Sequence, residues 1–486
     1  MISERKKVVV LGLDGASWNI LNPLIGEGKL PTFKKLLQEG SYGDLRSIMP
    51  PVSVPAWKCY STGKNPGKLG VYNLLSLDLK NRKLTAPSSR DFKEKEIWDY
   101  LADEGSTSCV YNMFATHPAK EMKGCLISDI PNERGYYPKE LQKEIESRFG
   151  SLYIEPNFIM DREETYAKSL WGMRRDFEVI MYLMEKYNPD FTHLSIPYTD
   201  GIQHFFWGDM ETKNGRFAQN IEKAWVELDE IVANFCDFLQ KKYADNFYLF
   251  VMSDHGFEGV KHRFNIGDWL VRKRYLVLNK KGKFLRFSFF LRKQMSVVYS
   301  AVETINSFLR GFVGKKEQRR GVQGMLVTAA VYEKTIDWNK SAVIPLTGEC
   351  LYVNKKTAGA GFTEKLIDEL RGLKSPEDNP LVVEIVNGKE FYSNNSAPDV
   401  LILPRNIEIY NAPLMRISWS QPDPTRWTGK HSLQGVLIMR GPGIKKGHQI
   451  KSATLYDIAP TVLHLMGISL PDSDGNVLEG ALVNGS

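Results

Sequence analysis

The chain has 486 residues, 42% of them hydrophobic and 25% charged, with a net charge of +7. These are the proportions of a globular protein, and the absence of an 18-residue apolar run argues against a transmembrane helix. The positive excess suits an anionic substrate or a membrane surface and is spread too thinly to indicate a nucleic-acid partner.

The elements follow an α/β rhythm. "KVVVLGL", Lys7 to Leu13, is a continuous β-branched run that stops at Asp14-Gly15, as a strand buried on both faces would. The start "MISERKKVVV" passes from charge straight into this strand and has no secretory apolar core. "LPTFKKLLQEG" reads as a helix with Pro31 near its start and Gly40 at its end. "IMPPVSVPAWKCYSTGKNPGKLGVYN", Ile48 to Asn73, sets Ser53 between prolines ahead of a short helix. "EIWDYLADEG" and "TSCVYNM" give a further helix and strand. "DFEVIMYLMEKYNPDFTHLSIPYTD" repeats the pair, broken at Asn188-Pro189, and a long amphipathic helix then leads into "FYLFVMSDHG". Near the end, "GVLIMRGPGI" is a strand and "TLYDIAPTVLHLMG" a helix capped by Thr454. Alternating helices and fully apolar strands predict a doubly wound, mostly parallel sheet.

Two segments break the rhythm. Lys280 to Gln323 mixes Phe and Leu with Lys and Arg, and Gly348 to Leu403 holds strand-like pieces around one helix. The expected division is a core over 1–279, a basic aromatic insertion over 280–345, a small α+β cap over 346–410 and the end of the core over 411–486. The insertion reads either as a surface cap over the active site or as an interfacial element for anionic lipid. Five cysteines at 59, 109, 125, 236 and 350, without a CxxC, read as reduced buried thiols. They fit a cytoplasmic protein, in peripheral contact with the inner membrane face if the insertion binds lipid.

Acidic and His residues cluster where strands should end. Asp14 closes the first strand. Asp200 and His204 follow "FTHLSI", Asp254 and His255 follow "FYLFVM", and His431 precedes "GVLIM". In open α/β sheets, ligands gather beyond the carboxyl ends of the strands. His431 lies before its strand and must arrive by loop placement. A mixed Asp/His set suits Zn²⁺, Mn²⁺ or Fe²⁺ better than Ca²⁺, and two ions could clamp both oxygens of a phosphoryl transfer. Each residue has an ordinary alternative: a turn for Asp14, a helix-face pair for Asp200 and His204, and an N-cap for Ser53 with Pro55 in the first turn.

The joint order carries a resemblance. Asp14 after the first strand, Ser53-Val54-Pro55 with Thr62-Gly63, Asp-x-x-x-His, Ser-Asp-His-Gly, a late Gly-x-His and the ending "LYDIAPTVLHLMGISLPDSDGNVL" are similar to the alkaline phosphatase superfamily. The type I phosphodiesterase/nucleotide pyrophosphatase branch is the nearest part of it. The resemblance implies Ser53 as nucleophile, where many relatives have Thr. It implies Asp200, His204 and His431 as ligands of one metal, and Asp14, Asp254, His255 and Ser53 as ligands of the other. It departs at Ala56, where nucleotide-specific relatives carry an Asn whose amide holds the phosphoryl group; Lys58, Lys261 or backbone N–H groups are the expected substitutes. Trp57 stands where sulfatases need Arg, which argues against a sulfatase.

Of the remaining candidates, His193 reads as a buried core histidine, and His117 as a pocket or loop residue. Lys261, His262, Arg263 and Lys430 read as a solvated loop or as phosphate contacts. The expected function is a metal-dependent phosphodiesterase or pyrophosphatase with two divalent ions, Zn²⁺ foremost. Ser53 forms a phosphoseryl intermediate that metal-activated water releases. The substrate is a small or lipid-linked phosphate ester. A phosphomonoesterase or phosphomutase is the alternative within the superfamily, and an inactive metal-bearing binding module the alternative outside it.

Overall fold

The computed structural model describes residues 6–78, 81–128, 134–152, 162–294 and 331–483; most of the expected insertion, 295–330, lies outside them. In chain order the strands begin with β1 (Lys7–Leu13), β2 (Ser41–Arg46), the short pair β3 (Ser76–Asp78) and β4 (Lys83–Thr85), β5 (Ser108–Met113), β6 (Gly124–Ser128) and β7 (Tyr136–Tyr137). Then come β8 (Phe191–Ile196), β9 (Phe247–Met252), β10 (Gly256–Gly259), β11 (His262–Asn265), β12 (Val343–Pro345) and β13 (Cys350–Val353). The last are β14 (Val382–Asn387), β15 (Val400–Pro404), β16 (Ile407–Tyr410), β17 (Trp419–Ser420), β18 (Gly429–Ser432), β19 (Gln434–Arg440) and β20 (His448–Thr454).

Nine of these form the central sheet in the order β20-β2-β19-β9-β1-β8-β5-β6-β7. The interior strands β5, β8, β1 and β9 run parallel, and β19 runs antiparallel between β9 and β2. Residues of β1, β8 and β9 are buried almost without exception, as a sheet covered on both faces requires. Two apolar clusters divide the faces. One packs the long helices Arg162–Tyr187 and Asn220–Tyr243 on Leu11, Leu194 and Leu249. The other packs the helices Ser53–Thr62 and Ile458–Leu465 on Val10, Phe250 and Leu437. This is the doubly wound α/β architecture that the alternating pattern predicts.

A four-stranded sheet, β12-β13-β15-β14, forms a separate layer with the helix Phe362–Arg371. Its apolar cluster draws on Met49, Tyr72 and Leu75 from the core chain as well as Leu351, Leu401 and Leu366. The segment 346–410 contributes three of its four strands, and β12 precedes it. Among the described residues, no helix is long and apolar enough to cross a membrane.

Register explains why the strand ends meet. Leu13 pairs with Ile196 and Gly12 with Met252, so β1, β8 and β9 stop at one level. Because β19 is antiparallel, its first residues lie at that same level: Gln434 pairs with Arg46, the last residue of β2. His431, which precedes β19, therefore arrives at the carboxyl ends through strand direction rather than through a wandering loop.

Gly12 fixes how closely the Ser53 helix can approach. A Cβ there would lie 2.3 Å from the Trp57 ring, so only glycine lets the indole lie on β1. Trp57 is fully buried. Gly12→Ala should therefore destabilise the protein by about 1–3 kcal/mol through overpacking. The measurement is the urea midpoint, which should fall with an unchanged slope; an unmoved midpoint would show that the indole has room to yield.

Candidate active site

The site is assembled from strand ends and three helix or hairpin starts. Asp14 follows β1, and its neighbour Gly15 has φ of +69°, which turns the chain away from the sheet. The Gly15 N–H donates to Asp254 Oδ1 at 3.2 Å. The Thr199 hydroxyl and the Gln203 amide, both from the helix Tyr198–Thr212, donate to the Asp14 and Gly15 carbonyls. Asp200 and His204 lie one turn apart on that helix, and their nearest atoms are 3.4 Å apart. His255 enters β10, which pairs with β18 so that Phe257 faces His431.

Ser53 is the first residue of its helix. Val52 takes the N-cap position and Ser53 makes no side-chain cap bond, so the expectation of Ser53 as N-cap is corrected. Two consecutive residues, Pro50 and Pro51, lead Val52 into extended backbone (φ −126°, ψ 129°). The Ser53 hydroxyl is left facing His255, with Oγ 3.2 Å from Nε2.

The site residues expected as ligands come together. His255 Nε2 lies 3.2 Å from Asp254 Oδ2 and 3.5 Å from Asp14 Oδ1. His431 Nε2 lies 3.0 Å from both Asp200 Oδ1 and His204 Nε2. The His255 and His431 rings stack at 3.6 Å. Among the described residues, two groups have ligand atoms mutually within 4.8 Å: Asp14, Asp254 and His255, and Asp200, His255 and His431. The donor chemistry fits metal ions. Asp14 Oδ1, Asp200 Oδ1 and Asp254 Oδ2 are buried without a hydrogen-bond donor among the described residues. Each imidazole places Nδ1 on a backbone carbonyl: His204 on Gly429 (2.8 Å), His431 on Pro51 (2.8 Å) and His255 on Gly256 (3.1 Å). That bond sets the tautomer and turns Nε2 inward, the outer-shell arrangement of metal-binding histidines.

Charge among these groups is correspondingly displaced. Burial, with Asp200 adding to it, pushes the Asp254 carboxyl up to about 7. Burial and the Asp254 charge raise Asp14. Burial lowers His204 and His255. Burial would also raise Asp200, but the facing His204 and His431 outweigh it and hold the carboxyl low. Burial would lower His431, and the contact with Asp200 outweighs it.

The expected substrate cations are placed elsewhere. Lys58 is fully buried and its Nζ sits 2.9 Å from Glu96, with Phe92 beneath it. Its helix turns it away from the Ser53 end because it lies more than a turn further along. Lys261 is exposed in a groove with His262, Ser375 and Arg405 that contains none of the ligand residues. Lys430 binds Glu258 and the Pro404 carbonyl, and Arg263 is bidentate on Glu408. His193 is buried against Tyr60, and burial pushes it down to about 3.

Other contributors were not legible in sequence. Trp57 donates to Asp14 Oδ2 at 3.4 Å. Trp427 stacks on His204 at 4.1 Å. Tyr392, from the cap layer, bridges Met49 through both its N–H (2.9 Å) and its carbonyl (2.6 Å), just ahead of the Ser53 turn.

Comparison with known proteins accords with this geometry. Residues 8–334 match the family described as Type I phosphodiesterase / nucleotide pyrophosphatase. The chain belongs to that family. It is a phosphoester hydrolase with an alkaline phosphatase-like fold. Among solved structures it is similar to murine ectonucleotide pyrophosphatase/phosphodiesterase 5, an inactive threonine-to-alanine variant in complex with AMP (TM-score 0.57, 13% identity, 99% of this chain and 100% of that one). The human protein gives a TM-score of 0.55 at 13% identity over 98% and 100% of the two chains. Phosphonoacetate hydrolase from Sinorhizobium meliloti 1021, in complex with phosphonoformate, gives 0.55 at 11% identity over 95% of each. No curated protein matches the sequence.

The charge balance of this phosphodiesterase-family site gives a pH prediction. A carboxyl near 7 in the folded metal-free protein and near 3.9 unfolded holds its proton in the native state across that window. Its contribution to stability therefore falls as pH rises from about 4 to about 7. In excess chelator, Asp254→Asn should be more stable than wild type at pH 8, by on the order of a few kcal/mol, and nearly equal to it at pH 4. Urea denaturation at the two pH values reads this. An equal difference at both would mean that Asp254 does not carry the strain.

Proposed function

We propose that the chain is a two-metal phosphodiesterase or pyrophosphatase acting through a phosphoserine on Ser53. The observation that carries this reading is the placement of the Ser53 hydroxyl 3.2 Å from His255, an imidazole common to both candidate metal groups. Asp14, Asp254 and His255 would hold one divalent ion next to Ser53, and Asp200, His204 and His431 the other. Zn²⁺ is the first choice, with Mn²⁺ or Fe²⁺ as alternatives. When bound, such ions supply Lewis acidity that favours the Ser53 alkoxide and offsets charge on the phosphoryl oxygens.

The chain's own groups do the rest. Ser53 Oγ attacks phosphorus as the bond to the leaving oxygen breaks, giving a phosphoseryl enzyme. Water then attacks that phosphorus and restores the serine. Val52 in extended backbone and the Tyr392 clamp on Met49 hold Oγ in place. The start of the Ser53 helix adds its dipole to the anionic group.

A diester is favoured over a monoester by the engagement of nearby cations. Lys58, Lys430 and Arg263 are each neutralised by a glutamate, so they do not complement the second negative charge of a monoester. The ester is carried on a small or lipid-linked molecule. Free, mostly buried thiols support a reducing, cytoplasmic location.

Chelation should abolish turnover of bis-para-nitrophenyl phosphate, and Zn²⁺ or Mn²⁺ should restore it. Para-nitrophenyl phosphate should be the poorer substrate. Rapid quench with labelled diester should place label on Ser53. Ser53→Ala should lower the rate by far more than tenfold, about 1.4 kcal/mol in barrier, with metal content unchanged by elemental analysis. A Ser53→Ala rate within tenfold of wild type would replace the phosphoserine with direct attack by water. Full activity after exhaustive chelation would remove the metals.

A further inference from the structure

The helix Lys280–Gln294 has the sequence KKGKFLRFSFFLRKQ, with no acidic residue. Lys280, Lys283, Phe284 and Phe287 are spaced three and four apart and so share one face. All four are exposed. Phe284, at 67%, is the most exposed large apolar side chain among the described residues, and Phe287 is at 50%. An exposed phenyl ring in this setting is not the result of a loosely held helix. On the opposite side Arg286 is buried, pairs with Asp268 and donates to the Pro413 and Met415 carbonyls. Gly282 is pressed so closely on Thr335 that a Cβ would lie 2.3 Å from its carbonyl oxygen.

The patch extends past the helix. Met415 is 44% exposed next to the Arg286 anchor. The exposed Arg416 places its guanidinium 4.7 Å from the Phe290 ring centre. Phe284 and Phe287 thus form an exposed apolar centre, with Lys280 and Lys283 on the same face and Arg416 over the neighbouring Phe290 ring.

We infer that this face docks on an anionic lipid bilayer. Charge decides the occupant. Lys280 and Lys283 carry no acidic neighbour on their helix, and ammonium groups flanking aromatic rings match a layer of lipid phosphates above acyl chains. The rings enter the interface while the lysine stems extend their charges to the headgroups. A buried protein interface would have to desolvate these ammoniums; a membrane surface leaves them wet. Docking by this face rests on none of the catalytic residues. The benefit to catalysis rests on the phosphodiesterase reading, since an enzyme held at a bilayer meets lipid-borne diesters at high local concentration.

The test is sedimentation of the full chain with vesicles of equal phosphatidylglycerol and phosphatidylcholine, against phosphatidylcholine alone, alongside hydrolysis of soluble bis-para-nitrophenyl phosphate. Wild type should bind the anionic vesicles and release them in high salt. Phe284→Ser/Phe287→Ser should weaken binding at least about tenfold. Lys280→Gln/Lys283→Gln should weaken it about fivefold per lysine. Both variants should hydrolyse the soluble diester as wild type does, which reports an intact fold. No binding to anionic vesicles at low salt would overturn the inference, as would binding that the Phe variant leaves unchanged. A wild-type dimer that the Phe variant makes monomeric would assign the face to a second copy instead. Loss of soluble-diester activity in wild type would count against the catalytic reading and leave the vesicle result standing.

Discussion

Three carboxylates, Asp14, Asp200 and Asp254, converge at the carboxyl end of the sheet, each with an oxygen that no hydrogen-bond donor reaches. Such a cluster is unfavourable by itself. Burial penalises each charge, and each charge penalises its neighbours. The surrounding fold supplies what partial compensation it can: the Gly15 N–H and the Trp57 indole N–H donate to two of the carboxylates, and imidazoles face all three. What remains uncompensated is the attraction for divalent cations. The cost of burying these carboxylates together and their affinity for a divalent ion are then one quantity seen from two sides.

Much of this could be read from sequence because a charged residue ending a fully apolar strand has few ordinary explanations. Asp254 and His255 stand out for that reason, whereas Asp14 by itself reads as a turn residue, and only the joint order with Asp200 and His204 carries the family. Other features depended on facts that a single sequence does not carry. The position of His431 follows from the antiparallel direction of β19, which the apolar run "GVLIM" does not encode. Ser53 as first helical residue rather than cap differs from expectation by one position, yet that position frees its hydroxyl. Lys58 looked available because it follows Ser53 closely, but its pairing with Glu96 joins two segments 38 residues apart. The Tyr392 clamp on Met49 spans 343 residues and leaves no local trace.

That clamp shows how the cap layer reaches the turn that carries Ser53. The cap cluster includes Met49 and Tyr72, which flank the Ser53 helix in sequence. The Ser53 turn is thus held between two cores: Trp57 anchors it to β1 below, and Tyr392 anchors it to the cap above. A displacement of about 1 Å is enough to cost a positioned reactant much of its advantage, so packing far from phosphorus bears on the rate.

The same reasoning connects electrostatics to substrate choice. A phosphate-binding site can balance its ligand with lysine and arginine or with metal ions. Here the cations nearest in sequence to the site residues are neutralised, Lys58 by Glu96 and Lys430 by Glu258, and Ala56 offers no side-chain amide. On the proposed reading, the positive charge that meets the phosphoryl group would come from divalent ions held by the two ligand clusters and from the start of the Ser53 helix. A diester presents one negative charge and two ester oxygens, which that arrangement can balance without further cations. A monoester presents two charges, and neither Lys58 nor Lys430, each held by its glutamate, is released to meet the second. On the proposed phosphodiesterase reading, the glutamates that hold these lysines withhold charge that a monoester would need.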